Sequence, residues 1–135
     1  MKNKIGLSFL LLLLTTACGD TLHHKHIKGN YYYVTENSRS EVCIGYRVND
    51  YDESFVLFIT EDVVEEASDD NFIIAKQKLN NSDDVVNYYI VSMQEEFTYS
   101  PEKFVVGPIT LDEFELKRKE LGVPENLKFK KLDVD

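Results

Sequence analysis

The sequence predicts an α+β fold: a small antiparallel β-meander sheet packed by one C-terminal helix at about residues 111–121. Three observations carry that expectation. Short apolar runs recur along the chain, separated by clusters of Asp, Asn and Ser, the punctuation of strands and turns. Few gaps between them are long enough for the helical crossovers a parallel sheet needs. One segment near the C-terminus has helical periodicity instead.

In order, Tyr31–Val34 (YYYV), Val42–Val48 (VCIGYRV) and Phe55–Thr60 (FVLFIT) read as strands, being rich in β-branched and aromatic residues. Phe72–Lys76 (FIIAK), Val85–Ser92 (VVNYYIVS) and Phe104–Val106 continue the series. Glu61–Ala67 (EDVVEEA) mixes acids with two valines and reads as a bent strand or loop. Thr110 with Glu113 forms a capping-box pattern. Leu111, Phe114 and Leu121 then share one helical face with the stem of Arg118. Acids lie in the first turn and bases in the last, matching the helix dipole. Glu113–Lys117 and Glu115–Lys119 are i,i+4 pairs. Gly122 suits the left-handed C′ position, and Pro124 stops the helix. Leu127 and Phe129 alternate as a final short strand or strap.

The first residues have a different character. Lys2 and Lys4 precede the uncharged run Ile5–Leu14 (IGLSFLLLLL). As a helix that run is about 15 Å long, half the thickness of a bilayer core. It reads as the core of a secretory signal peptide and not as a membrane span. Thr15, Thr16 and Ala17 lead into Cys18 and Gly19, a run of small residues before a cysteine similar to the bacterial lipobox. Thr15 stands where that motif favours Leu. Cys18 is therefore the expected lipidation site, and its acyl chains a membrane anchor. Ordinary cleavage near Ala17 and an uncleaved anchor are the alternatives. The expected organisation is a signal peptide over 1–17, a lipidated cysteine with a flexible tether over 18–28, and a single globular domain over 29–135.

Removing residues 1–17 takes away two lysines and no acid, so the net charge moves from −9 to −11. This acidity disfavours nucleic acid as a partner, because phosphate contacts need a basic surface. It also predicts a body held off any anionic lipid on its tether. With Cys18 acylated, Cys43 is the remaining thiol, and Val42-Cys43-Ile44 reads as a buried strand run.

The chain offers little recognisable chemistry. All three histidines, His23, His24 and His26, fall in the expected tether, which lacks the rigid support of a metal site. Without a histidine after residue 28, Ser-His-Asp and Cys-His arrangements have no base. Adjacent carboxylates such as Glu65-Glu66 and Asp69-Asp70 are plentiful, but neighbours on a strand point to opposite faces. Asp69, Asp70 and Asn71, or Asn80, Asn81, Asp83 and Asp84, show no recognisable calcium-ligand spacing and read as solvated turns. No cofactor and no metal is expected. Eight tyrosines and no tryptophan are unusual, and Tyr31 and Tyr33 are the candidate interaction residues.

Three blocks carry a resemblance: Asp70–Gln77 (DNFIIAKQ), Tyr88–Val91 (YYIV), and Gly107-Pro108 through Glu113-Phe114, Arg118 and Leu121-Gly122-Val123. Together they resemble a family of small bacterial lipoproteins known only as a domain of unknown function. That resemblance spans roughly residues 31–123 and implies a secreted, lipidated protein with no assigned catalytic residue. The blocks are also turn, cap and core residues, which describe a fold. The functional expectation is a non-catalytic binding or assembly module of the bacterial envelope. It would be lipid-anchored at the cell or outer membrane on the extracytoplasmic side, with an unknown protein or small-molecule partner. The alternatives are an acidic inhibitor or immunity-type protein neutralising a basic partner, and a carboxylate-dependent hydrolase.

Overall fold

The computed structural model describes residues 22–36, 41–52, 54–79 and 84–132. Cys18, residues 37–40, Glu53, residues 80–83 and residues 133–135 lie outside them, as does the signal segment. The strands are β1 (Leu22–Lys28), β2 (Tyr31–Glu36), β3 (Val42–Arg47), β4 (Phe55–Ile59), β5 (Val63–Ser68), β6 (Phe72–Lys78), β7 (Val86–Ser92), β8 (Val105–Ile109) and β9 (Lys130–Lys131). The helix α1 covers Leu111–Leu121, and a 3₁₀ turn covers Pro101–Phe104. The expected α+β class, antiparallel pairing and helix position are those observed.

The strands divide between two sheets. The first has the order β1-β2-β3-β4 and the second β8-β7-β6-β5-β9. The meander breaks at the corner Thr60–Asp62, which the buried Gln77 holds. Its amide nitrogen donates to the carbonyls of Thr60 (2.7 Å) and Glu61 (3.3 Å), and its oxygen accepts from Asn87 and Tyr89 (3.0 Å each). Asp62 and Lys78 close the corner with reciprocal main-chain bonds.

Each face of the second sheet has its own apolar layer. Ile73 and Ala75 on β6 join Tyr89 and Val91 on β7 against Tyr31, Tyr33, Ile44 and Tyr46 of the first sheet. Ile74 and Ile90 point the other way, onto Phe114, Val123 and Leu127. The second sheet is thus the middle of three layers, which explains why FIIAK and YYIV are continuously apolar: those strands are buried on both sides.

Two expectations change here. Leu22–Lys28 is strand and not tether. Gly29, at φ +56°, and Asn30 make a two-residue turn, and the strand folds back to pair from Leu22↔Glu36 to Lys28↔Tyr31. The helix also buries less than its stripe suggests. Phe114 is fully buried, but Leu111 is 50% exposed and Leu121 39%. Val123, Leu127 and Phe129 of the following segment fill the space against the sheet instead.

The capping box forms as expected, with Glu113 N–H on Thr110 Oγ1 (3.3 Å) and Thr110 N–H on Glu113 Oε2 (3.0 Å). Gly122 takes the left-handed position at φ +76°. With Glu113 turned to the cap, Lys117 pairs with Glu120 at 2.9 Å. Arg118 stacks 5.5 Å from the Phe114 ring centroid and donates to the carbonyls of Pro124 (2.8 Å) and Leu127 (3.0 Å). That clamp holds the segment after the helix onto the sheet.

Candidate interaction surface

Four connections meet at one end of the sandwich: the Gly29-Asn30 turn, the β3–β4 loop, the β5–β6 turn and the segment leaving β7. Hydrogen bonds tie them together. The Tyr31 hydroxyl accepts from Gln94 N–H (3.0 Å). The Tyr46 hydroxyl accepts from Thr98 N–H (3.0 Å) and Asn30 Nδ2 (3.2 Å). Met93 N–H donates to Asn71 (2.8 Å), and Lys28 Nζ to the Asp70 carbonyl (2.6 Å). Arg47 donates to the carbonyls of Asn49 (3.1 Å) and Asp50 (3.4 Å).

This braced end displays aromatic rings. Tyr46 leads outward to Phe97 (centroids 5.8 Å apart), and Phe97 to Tyr99 (4.8 Å). Tyr99 is 88% exposed and Tyr51, on the β3–β4 loop, 98%. Asp50, Asp52, Asp70, Glu95 and Glu96 stand exposed on the same loops. A cleft of about 260 Å³, lined by Lys28, Tyr31, Asp70, Met93, Gln94 and Glu95, opens here. Exposed aromatics beside acids are equipped to bind a cationic or amphipathic partner.

The tyrosines singled out from sequence are not the exposed ones. Tyr31 is 1% exposed and Tyr33 7%, because both face the second sheet. Tyr32 is the outward member of the triplet. Burial raises the pKa of both inward phenols. For Tyr33 the hydrogen bond to Glu66 and that carboxylate's charge add to the rise; for Tyr31 the bond from Gln94 opposes it. Tyr51, Phe97 and Tyr99 each lie in a polar, acid-rich turn outside any strand alternation, and that setting is their one signal in the sequence.

The remaining candidates are distributed. His24 and His26 lie exposed on β1 against Tyr32. Among the described residues no group of three or more His, Cys, Asp or Glu is placed to hold a metal ion. Cys43, expected in the core, is half-buried on the outer face of β3, opposite Val34. Glu65 and Glu66 separate across the sheet: Glu65 bonds Lys76 (3.0 Å) on the helix side, and Glu66 reaches Tyr33 between the sheets. Lys76 therefore has a carboxylate partner as well as Tyr88, whose ring centroid is 6.0 Å away. The Glu65 bond raises its pKa, with burial opposing.

Three layers, an interior closed around Gln77 and a braced, aromatic loop end define a small α+β protein whose distinctive chemistry is on its surface. The chain belongs to the family described as protein of unknown function DUF3997, which it matches over residues 29–134. No curated protein and no solved structure matches it. The match begins after β1, so the histidine-bearing strand precedes the family region.

Proposed function

We propose that this protein is a non-catalytic bacterial envelope lipoprotein, anchored through Cys18, that binds a partner with its loop end. The observation that carries the reading is the exposure of Tyr51, Phe97 and Tyr99 at the loop end, where buried tyrosine hydroxyls hold the segment bearing Phe97 and Tyr99. A loop segment braced before binding loses less entropy on contact. Leu22, where the described chain begins, lies at the opposite end of β1, a strand about 20 Å long at the usual rise. An anchor at Cys18 leaves the loop end accessible. No helix among the described residues is long and apolar enough to cross a membrane.

The exposed acids at this end favour a basic partner, the inhibitor or immunity-type reading, through steered association. A hydrolase is less well supported. Asp70 and Glu95 share the cleft, but the Asp70 side chain is 94% exposed and pairs with Lys28 at 3.4 Å, whereas a general acid needs a desolvated carboxyl.

Two measurements test the proposal. Labelled palmitate should enter the wild type and not Cys18→Ala; equal labelling ends the anchoring claim. Cross-linked envelope partners should be lost on Tyr51→Ser/Tyr99→Ser, with the fold intact. Undiminished capture would move the binding surface elsewhere, and release at high salt would identify the partner as basic.

A further inference from the structure

The first sheet has one face on the second sheet and one with no described element packed over it. An antiparallel sheet facing water normally carries polar side chains there. This face carries rings. His24 lies 5.5 Å from Tyr32 and 5.4 Å from Phe55, Tyr32 lies 5.3 Å from Phe55, and His26 lies 4.9 Å from Tyr32. Gly45 makes the layer continuous. A Cβ there would sit 3.0 Å from Leu57 Cδ2 and 3.3 Å from Phe55 Cβ, so its absence lets β4 side chains lean across β3 onto Val34. The layer runs from one edge strand to the other, and Leu57 in it is 37% exposed.

We propose that this face lies on the lipid surface when Cys18 is acylated; the inference rests on the lipoprotein reading above. The chain before β1 supplies the occupant. Cys18 is four residues from Leu22, about 14 Å at full extension. Leu22 opens the edge strand of this face, and the ring layer begins two residues later at His24. With residues 22–28 folded as strand, no long tether holds the body away. Tyr and His present an apolar body with a polar tip, the side-chain type that settles at a lipid–water boundary.

The natural chain has no tryptophan, so single reporters are clean. Full-length acylated Phe55→Trp and Tyr99→Trp are placed in phosphatidylethanolamine–phosphatidylglycerol vesicles with brominated acyl chains. Quenching should be several-fold stronger for Phe55→Trp, and Leu57→Asp should weaken it without preventing flotation. In the unsubstituted protein, diethylpyrocarbonate modification of His24 and His26 should be slower on vesicles than in Cys18→Ala in solution. Flotation with equal quenching at both positions and unslowed histidines overturns the proposal and leaves the anchor standing. Absence of flotation in the wild type removes the anchor reading and this inference together. A shielded Phe55→Trp in a dimer without lipid assigns the face to a second copy, and also overturns it.

Discussion

Tyr31 and Tyr46 stand opposite each other on β2 and β3 and meet edge to face, centroids 5.0 Å apart and planes at 77°. Each hydroxyl accepts a main-chain N–H from the segment after β7, Gln94 for Tyr31 and Thr98 for Tyr46. One aromatic pair thus does two things. It fills the space between the sheets and holds the loop that exposes Phe97 and Tyr99.

Removing either hydroxyl leaves a part-buried main-chain N–H without its partner. Tyr46→Phe should cost about 1–3 kcal/mol in denaturant unfolding. Amide exchange should accelerate at residues 93–99 while β6 and β7 stay protected. Tyr99→Ser, which touches the exposed end of the same array, should leave stability within about 0.5 kcal/mol. A Tyr46→Phe protein with unchanged loop exchange would show that the loop is held by other contacts.

This pair also shows what could be read from the sequence. Strand segments and the helix were legible because their signals are local: alternation, Asp/Asn/Ser turns, the Thr110–Glu113 box and Gly122. Which tyrosine of Tyr31–Tyr33 faces inward depends on register against β3, where Val42, Ile44 and Tyr46 supply the inner face. The division into two sheets depends on Gln77 catching the Thr60–Asp62 corner, a contact between distant segments. β1 did carry a local signal, the Gly29-Asn30 turn, but its histidines and lysines masked the strand. The aromatic loop end needed the fold, since β3, β5 and β7 deliver its parts from separate places.

Gln77 gives a sharper test of the corner. Its amide satisfies two carbonyls, the Tyr89 hydroxyl and the Asn87 amide from a position 1% exposed. Gln77→Leu keeps much of the volume and orphans those groups, at about 1–3 kcal/mol for each that water cannot reach. A lowered denaturation midpoint, with the largest exchange increase at residues 60–62, is the expected result.

Gly107 tests a close approach. At φ +138°, a Cβ would lie 2.5 Å from the Tyr89 ring and 2.6 Å from the Tyr88 carbonyl oxygen. Neither can retreat, since Tyr89 is packed between the sheets and Tyr88 is backbone on a central strand. Gly107→Ala should destabilise by about 1–3 kcal/mol from overpacking, with the strain of the φ in addition. Gly122→Ala meets no atom within 4 Å and bears only the φ +76° cost, so its loss on thermal unfolding should be smaller.

Alkaline stability follows from the buried hydroxyls. Tyr33, Tyr31 and Tyr89 all have raised pKa values, with burial the largest cause in each, from an ordinary value of 10.0. Lys76 is raised from 10.5 by its bond to Glu65. In every case the folded state holds its proton more tightly than the unfolded chain. The stabilisation is therefore complete below pH 10.0 and is lost as pH rises through the folded values. Unfolding free energy should fall progressively above pH 10.0, and the share of the phenolate absorbance that belongs to Tyr31, Tyr33 and Tyr89 should appear together with loss of structure. Tyr33→Phe separates the two roles of its hydroxyl. Near neutral pH it leaves Glu66 without that donor, and Glu66 Oε2 is already buried with no partner among the described residues. A loss of about 1–3 kcal/mol is expected there. Above pH 10.0 the variant has one fewer proton to lose on unfolding, so its decline with pH should be shallower than the wild type's. Parallel declines would show that Tyr33 ionises in the folded protein as readily as in the unfolded chain.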